Sequence, residues 1–398
     1  MTVTAARPVS VSAARRWSML GASTLAQAAA AVMMHGPAFL IPTLHAQGMS
    51  LARAGLVAAA PTIGVMLTLV AWGAVTDRRG ERFVLLTGLT ATVVFGAASA
   101  ITSGTGLLVV TLFFAGGAAA STNAASGRVV VGWFPPERRG LAMGIRQMAQ
   151  PVGVGVAAIS IAVVAHAYGV HAALWVPTIA CALAAVLVAA LVIDPPRPTT
   201  RTGESVANPY RQDSYLARIH GVSVLLVVPQ FLVWTFALVW LVQDRGWHPA
   251  AAGAVVAIAQ VAGALGRIGV GHLSDVVGSR MRPLRWVAIA ATATMGLLGL
   301  TAALDLGVAV LLVVVATLVT VADNGLAFTA VAERAGPFWS GRALGVQNTA
   351  QFLAASAVPP LAGLAVTHAG YAAAFAIGAL FPLVALPLVP AREERELS

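Results

Sequence analysis

Long apolar segments recur along the whole chain and are separated by short polar gaps. A helix of about 20 residues crosses the hydrocarbon core of a bilayer, and it satisfies its own backbone hydrogen bonds there. The pattern therefore predicts twelve membrane-spanning helices. Spans 1 to 6 are predicted at 17–43, 54–75, 83–102, 106–133, 141–166 and 170–193. Spans 7 to 12 are predicted at 220–242, 249–274, 284–304, 307–331, 343–367 and 370–390.

One long polar stretch divides these spans six and six. It is rich in proline and arginine, which is typical of a linker between folded parts. The sequence thus predicts an all-α polytopic membrane protein with three regions. They are an N-terminal six-helix bundle (1–193), a cytoplasmic linker (194–219) and a C-terminal six-helix bundle (220–398).

The composition excludes a soluble enzyme. The 398 residues are 59% hydrophobic and 10% charged, whereas a soluble domain is about 45–50% apolar and about 25% charged. A single cysteine and eight scattered histidines provide no metal cluster. The chain also lacks the GxxxxGK[ST] loop that binds ATP phosphates. We therefore expect that the protein is not an enzyme and that it has no catalytic residues, no bound metal and no cofactor.

The basic charge of the chain indicates membrane topology rather than nucleic-acid binding. The net charge is +10, and all 24 basic residues are arginines. They concentrate in alternate gaps between the spans, and only Arg53 and Arg245 lie in the opposite gaps. By the positive-inside rule, both termini and the linker are cytoplasmic. We expect a multi-pass protein of a bacterial cell membrane that does not bind nucleic acid.

The two halves of the sequence repeat each other at a shift of about 200 residues. The segment GAVTDRRG (73–80) corresponds to GHLSDVVG (271–278), and GLAMGIRQMAQ (140–150) corresponds to GRALGVQNTAQ (341–351). The first pair of segments is related by a shift of 198 residues and the second pair by a shift of 201. Asn123 aligns with Asn324 at the shift of 201 residues. Three matches in order predict a duplicated six-helix unit.

The loop GAVTDRRGER is similar to the cytoplasmic 2–3 motif of the major facilitator superfamily, Gly-x-x-x-Asp-Arg-x-Gly-x-Arg. The matching residues are Gly73, Asp77, Arg78, Gly80 and Arg82. Together with the twelve spans, this motif makes the whole chain resemble that family. The resemblance implies a transporter with a latch between the bundles that closes the inner side.

Asp77 lies at the C-terminal end of a predicted helix, where the helix dipole disfavours an anion. It therefore needs a partner, and the candidates are the start of span 11, Arg342 and Arg128. Arg128 could instead extend its side chain to the membrane interface. Asp275 and Gly278 are the counterparts of the motif in the second half, with the start of span 5 as the partner of Asp275.

Four ionisable residues are predicted inside spans, and such residues are costly unless they serve a partner or a cavity. Arg128, Arg146, Arg267 and Asp323 together carry a surplus of positive charge, which suits an anionic substrate. Arg267 lies about 12 Å deeper than Asp275 along span 8. It resembles the substrate arginine of monocarboxylate transporters and oxalate–formate antiporters, although an ion pair or a packing role is the alternative.

The other ionisable candidates have two interpretations each. Arg146 could face the cavity or pair with Asp275. Asp323 could carry a coupling proton or be neutralised by Arg267. His35 could titrate or bind substrate, or it could be hydrogen-bonded locally.

A set of amides and one tryptophan could also line a central cavity, since buried amides must find partners. The further candidates for substrate binding are Asn123, Gln147, Gln150, Gln347, Gln351 and Trp234. Trp240 lies near the outer end of span 7, where we expect it in the aromatic belt at the interface.

These features predict a secondary transporter that works by alternating access and moves a small organic anion by proton symport or exchange. The alternative is a proton-driven exporter of drugs or amphipathic metabolites. A sensor or an intramembrane enzyme is disfavoured, because there is neither a soluble output domain nor a nucleophile–base cluster. We expect a monomer whose partners are its substrate, protons and the lipid bilayer.

Overall fold

The computed structural model describes residues 11–195 and 207–394, and within them every regular element is helical. Helices α1 to α7 are Ala13–His35, Ile41–Ala46, Leu51–Arg79, Glu81–Ile101, Thr105–Trp133, Pro136–Gln147 and Ala149–Leu191. Helices α8 to α13 are Tyr215–Val239, Pro249–Val277, Met281–Ala303, Val308–Thr320, Asp323–Ala335 and Ser340–Ala385. A 3-10 segment at Gly36–Leu40 and a π turn at Trp240–Asp244 continue spans 1 and 7.

The described residues contain ten continuous helical stretches that are long and apolar enough to cross a membrane. Two of them, Pro136–Leu191 and Ser340–Leu388, have 56 and 49 residues. Each is more than twice the length that a bilayer requires. Gly169 (φ 85°) and Gly370 (φ 80°) interrupt them with non-helical backbone. Each long stretch is therefore two spans, which gives the twelve predicted by the hydropathy pattern.

The backbone repeats the duplication that the sequence shows. Eight of the nine described residues with positive φ form corresponding pairs, at the shifts of 198 or 201 residues seen in the sequence motifs, and Gly336 is the ninth. The pairs are Gly48 and Gly246, Gly80 and Gly278, Gly104 and Asp305, and Gly169 and Gly370. Because positive φ marks the chain reversals between helices, the turns of the two halves match as well as their helices do.

Two spans are broken where the sequence places polar residues. Span 5 consists of α6 and the first part of α7. They are separated by a turn at Met148, where the helical hydrogen-bond pattern is interrupted although the backbone dihedrals stay helical. Span 10 consists of α11 and α12, with a turn at Val321 and Ala322 just before Asp323. Each break leaves backbone groups without helical partners in the middle of a span.

Contacts divide the described chain into two compact units. The first contains α1–α5, α7 and the start of α13, through Thr349. The second contains α6, α8–α12 and the rest of α13. Helix α6 and the start of α13 thus each belong to the unit formed mainly by the other half of the sequence. The predicted bundle limits stay a prediction, and 196–206 of the predicted linker lie outside the described residues.

Each unit has its own apolar core. The core of the first unit includes Leu112, Ile161 and Leu174, and that of the second includes Trp240 and Phe375. The expectation that Trp240 lies in an interfacial belt is wrong, because the side chain is fully buried and packs edge-on against Phe375. Position along a span predicts depth in the membrane, but it does not predict which face of the helix a side chain occupies.

The two interrupting glycines give the first prediction. An alanine side chain strains a backbone with φ near +80°, so Gly169→Ala and Gly370→Ala should each lower the free energy of unfolding by about 1–2 kcal/mol. Gly155→Ala is the matched control, since Gly155 lies in α7 with open space around it and no positive φ. It should be neutral or slightly stabilising. Unfolding of the three variants in detergent measures this, and an equal loss in all three would contradict it.

Candidate functional site

A carboxylate at the end of span 2 binds the start of span 11. The Asp77 Oδ1 atom accepts a hydrogen bond from the Gly341 amide at 2.8 Å, and Oδ2 accepts one from the Arg342 amide at 3.0 Å. Helix α13 begins at Ser340, so these are among its first amides, where the helix dipole favours an anion. The unfavourable position of Asp77 at the end of α3 is thereby offset by a favourable position at the start of α13.

Two arginines and a second acid complete this cluster. The Arg128 Nη1 atom lies 2.8 Å from Asp77, and its Nε lies 2.8 Å from Glu81. The Arg342 Nε atom also lies 2.8 Å from Asp77. All three predicted partners of Asp77 are therefore present. The Arg128 side chain does not extend to the membrane interface, because it is 4% exposed and forms ion pairs with Asp77 and Glu81.

The second half builds the same contact. The Asp275 carboxylate accepts hydrogen bonds from the amides of Gly140 and Leu141 at 2.9 and 2.8 Å, at the start of span 5. Its ion-pair partner is Arg280, at 2.5 Å. The alternative in which Arg146 pairs with Asp275 is wrong, because the arginine that forms an ion pair with Asp275 is Arg280.

Glycines allow the helices to meet at these two contacts. A Cβ atom on Gly73 would lie 2.3 Å from the carbonyl oxygen of Gly341, and a Cβ atom on Gly271 would lie 2.3 Å from that of Gly140. Both distances are too short for any side chain. The glycine of the motif is thus required by the close approach of backbones, which brings the aspartate within reach of the amides.

The remaining motif residues lie at the turns. Gly80 (φ 101°) and Gly278 (φ 66°) reverse the chain after α3 and α9. The Arg82 amide donates to Asp194 at 2.8 Å, and the Arg82 side chain donates to the Ala189 carbonyl. Arg78 is exposed and makes no polar contact with any described residue.

Amide pairs join the helices of each unit inside the spans. Gln27 donates to Asn123 at 3.1 Å in the first unit, and Asn324 donates to Gln230 at 3.1 Å in the second. Gln351 donates to Asn324 at 3.1 Å. The predicted cavity residues Asn123 and Gln351 are thus engaged in hydrogen bonds between helices, and the pairing is repeated in the two halves.

Arg267 lies at the break in span 5. Its Nη1 atom donates to the backbone carbonyl of Gln147 at 2.7 Å, and the residue is only 8% exposed. The Nε atom is buried without a hydrogen-bond partner. Among the described residues no carboxylate lies within ion-pair distance of this guanidinium. The charge of Arg267 is therefore largely buried and is not neutralised by direct contact with a described carboxylate.

Asp323 is the first residue of α12 and is 1% exposed. Its Oδ2 atom is buried and has no hydrogen-bond partner. It interacts electrostatically with Arg267, but not as a contact ion pair. The structure therefore does not contain the alternative in which Arg267 neutralises Asp323 by direct contact. Arg267 and Asp323 form a separated pair of opposite charges, both with unused hydrogen-bonding atoms.

Arg146 lies beside this pair in the second unit and is fully buried. Its Nη1 atom donates to the Gln147 side chain at 2.7 Å, and its guanidinium lies 5.6 Å from the centre of the Phe328 ring. Arg146, Gln147 and Arg267 therefore meet around one residue of span 5.

The other predicted contacts are dispersed. The Gln150 Oε1 atom is buried without a hydrogen-bond partner, and Gln347 is fully buried. His35 makes no hydrogen bond to a described residue at the end of α1, so the local hydrogen-bond alternative for it is not seen. Trp234 is 39% exposed and packs against Phe231 at 5.1 Å between ring centres. None of these contacts by itself defines a site.

Some partners were not predicted from the sequence. Glu81 neutralises Arg128, and Arg280 bridges Asp275 and Glu333. Burial lowers the pKa of Arg280, but Glu333 and Asp275 raise it above its ordinary value. Glu81 directly follows Gly80 of the motif, and this position is a sequence signal that could have identified it as a partner of Arg128. Arg280 shares its gap between spans with Arg282 and Arg285, and nothing in the local sequence distinguishes it from them.

Comparison with known proteins identifies the family. The family model of the Major Facilitator Superfamily matches residues 21–359. The chain belongs to this superfamily. An uncharacterised transporter of the same type from Mycobacterium tuberculosis is 47% identical over 380 residues, which are 95% of this chain and 85% of that protein. A glycerol-3-phosphate transporter of Bacillus subtilis is 31% identical over 125 residues, 30% of this chain and 28% of that one.

Solved structures share the fold. The proton:xylose symporter XylE has a TM-score of 0.77 at 16% sequence identity, over 97% of this chain and 98% of that one. As a member of the Major Facilitator Superfamily, the chain is a multi-pass membrane protein and a secondary transporter of small molecules, and not an enzyme.

The buried cluster around Asp77 gives the second prediction. Asp77→Asn leaves Arg128 and the α13 amides with a neutral partner, and removal of one member of a buried pair typically costs about 3 kcal/mol of unfolding free energy. Asp244→Asn is the control, because that carboxylate is exposed. It should change stability by less than about 0.5 kcal/mol. Reversible unfolding in detergent with added denaturant compares them, and equal stabilities would contradict the role assigned to Asp77.

Proposed function

We propose that this member of the Major Facilitator Superfamily moves a small organic anion by alternating access, with a proton in symport or in exchange. The observation that carries the proposal is the Arg267 guanidinium, buried inside a span with an unpartnered Nε atom. A buried guanidinium without a contact ion pair is costly unless it binds something during function. An oxyanion is the ligand that its donor geometry fits.

The distribution of intramembrane charge supports this assignment. Arg128 is neutralised by Asp77 and Glu81, so it contributes no net attraction for a substrate. Arg146 and Arg267 both contact Gln147, and Asp323 interacts electrostatically with Arg267. The Arg267 guanidinium thus supplies a buried positive charge without a contact ion pair, which favours an anion over a cation.

Asp323 is the candidate for the coupling proton. Its Oδ2 atom lacks a partner and lies at the start of α12, next to the break in span 10. A carboxylate in this position gains a donor when it binds a proton, and it changes the charge that Arg267 faces. Proton binding and anion binding would therefore be linked electrostatically.

One relative is consistent with an anionic substrate. The Bacillus subtilis protein that is 31% identical over part of the chain is named a glycerol-3-phosphate transporter, and that substrate is an organic anion. The arginine distribution supports an orientation with both termini in the cytoplasm of a bacterial cell. The described helices provide two compact units, and we propose that a monomer suffices for transport.

Arg267→Gln tests the anion site. In liposomes, wild-type protein should take up one or more of lactate, oxalate, inorganic phosphate and glycerol 3-phosphate, and Arg267→Gln should reduce that uptake at least about tenfold, because the amide offers no positive charge. Arg285→Gln removes the same charge from an exposed residue and should leave uptake unchanged. Transport of tetraphenylphosphonium without any anion would instead indicate the exporter.

Asp323→Asn tests proton coupling. The amide cannot take up a proton, so accumulation driven by an imposed pH gradient should be lost. Counterflow of labelled against unlabelled substrate should remain, since it needs no net proton movement. Asp244→Asn should behave as wild type in both assays. Gradient-driven accumulation by Asp323→Asn equal to that of wild type would exclude Asp323 as the coupling group.

A further inference from the structure

A proline in span 5 leaves one backbone carbonyl without its helical donor. In a regular helix the carbonyl of Gln147 would accept from the amide four residues later, which is that of Pro151, and proline has no N–H. The helix breaks at this point, since α6 ends at Gln147 and α7 begins at Ala149. An unpaired carbonyl in an apolar environment is costly, so it requires another donor.

Arg267 provides that donor. Its Nη1 atom lies 2.7 Å from the Gln147 oxygen. The close packing of α6 on α9 makes this possible, because a Cβ atom on Gly144 would lie only 2.6 Å from the Arg267 carbonyl oxygen. The backbones touch one turn before Gln147, and the arginine side chain then spans the remaining gap. The bond is therefore built into the packing of two helices.

This bond leaves the other edge of the guanidinium available. Nε and Nη2 together form a fork that matches two oxygens of an oxyanion. Nε has no partner, and Nη2 makes no hydrogen bond to a described residue. Asp323 does not occupy the edge as a contact ion pair. The orientation of this fork is thus set by the third nitrogen, Nη1, which donates a hydrogen bond to the Gln147 carbonyl.

We propose that Pro151 and Gln147 are positioning residues for the substrate. The carbonyl that proline frees fixes Nη1 of Arg267, so that the Nε–Nη2 edge is oriented in advance for an oxyanion with two adjacent oxygens, as in a carboxylate or a phosphate ester. The inference rests on the proposed function and specifies how its site recognises the ligand. A side chain that is already ordered loses less conformational entropy on binding.

The variants Pro151→Ala and Pro151→Gly test this directly. Both restore an N–H that competes with Arg267 for the Gln147 carbonyl, and glycine also keeps the chain flexible at this point. With its bond to Nη1 weakened by this competition, Arg267 should bind less well. The KM for whichever of lactate, oxalate, inorganic phosphate and glycerol 3-phosphate the wild type transports should rise about tenfold in both variants, while kcat changes less than about twofold.

Pro177→Ala is the matched control. Pro177 is also inside α7, and the carbonyl of Ala173, four residues earlier, accepts no side-chain hydrogen bond from a described residue. This variant removes a helix proline without affecting a guanidinium, so its KM should equal that of the wild type. A similar rise in KM for Pro177→Ala would show a general effect of helix prolines and would overturn the inference.

A double-mutant cycle separates positioning through Arg267 from a purely structural role. Lysine at position 267 keeps the charge but has no fork for the carbonyl to orient. In an Arg267→Lys background, Pro151→Ala should therefore change KM less than about twofold. Where that background transports too slowly, the lactate-induced shift in melting temperature replaces KM. An equal effect of Pro151→Ala in both backgrounds overturns the inference and leaves the proposed function intact, whereas failure of the wild type to move any oxyanion overturns both.

Discussion

Polar groups buried between membrane helices must find their partners within the protein, because neither lipid nor bulk water supplies them there. This constraint explains most of the buried contacts in the molecule. Asp77 and Asp275 end one helix and are satisfied by the first amides of another. Arg128 is satisfied by two carboxylates, and Gln27 is satisfied by Asn123. Each of these contacts joins two helices.

Glycine makes these contacts geometrically possible. Asp77 reaches the amides of α13 because Gly73 and Gly341 have no side chains to keep the helices apart, and Gly271 and Gly140 do the same in the second half. The same short approach between α6 and α9, at Gly144, brings Arg267 to the Gln147 carbonyl. At each of these three places, a glycine allows two backbones to approach closely, and this approach brings a polar side chain to its hydrogen-bond partner.

Arg267 and Asp323 depart from this rule. Each is at least nine-tenths buried, and each retains a polar atom without a partner. Both lie next to a break in a span, where the regular helix no longer satisfies its own backbone. Incomplete satisfaction is unfavourable in a resting protein, but a transporter that binds a charged ligand has to keep some hydrogen-bonding capacity unused. Arg267 and Asp323 are also two of the four ionisable residues that the sequence places inside spans.

The sequence alone determined the spans, their number and the duplication, because hydropathy and repeated motifs are local signals that need no knowledge of contacts. It also indicated that Asp77 needs a partner, since the helix dipole is a local property. Only the tertiary structure decided which partners were chosen. Arg280 holds Asp275 and Arg146 does not, and Trp240 is buried rather than interfacial. These outcomes depend on which helix faces meet, and a pattern along one chain does not specify the neighbour that lies opposite each face.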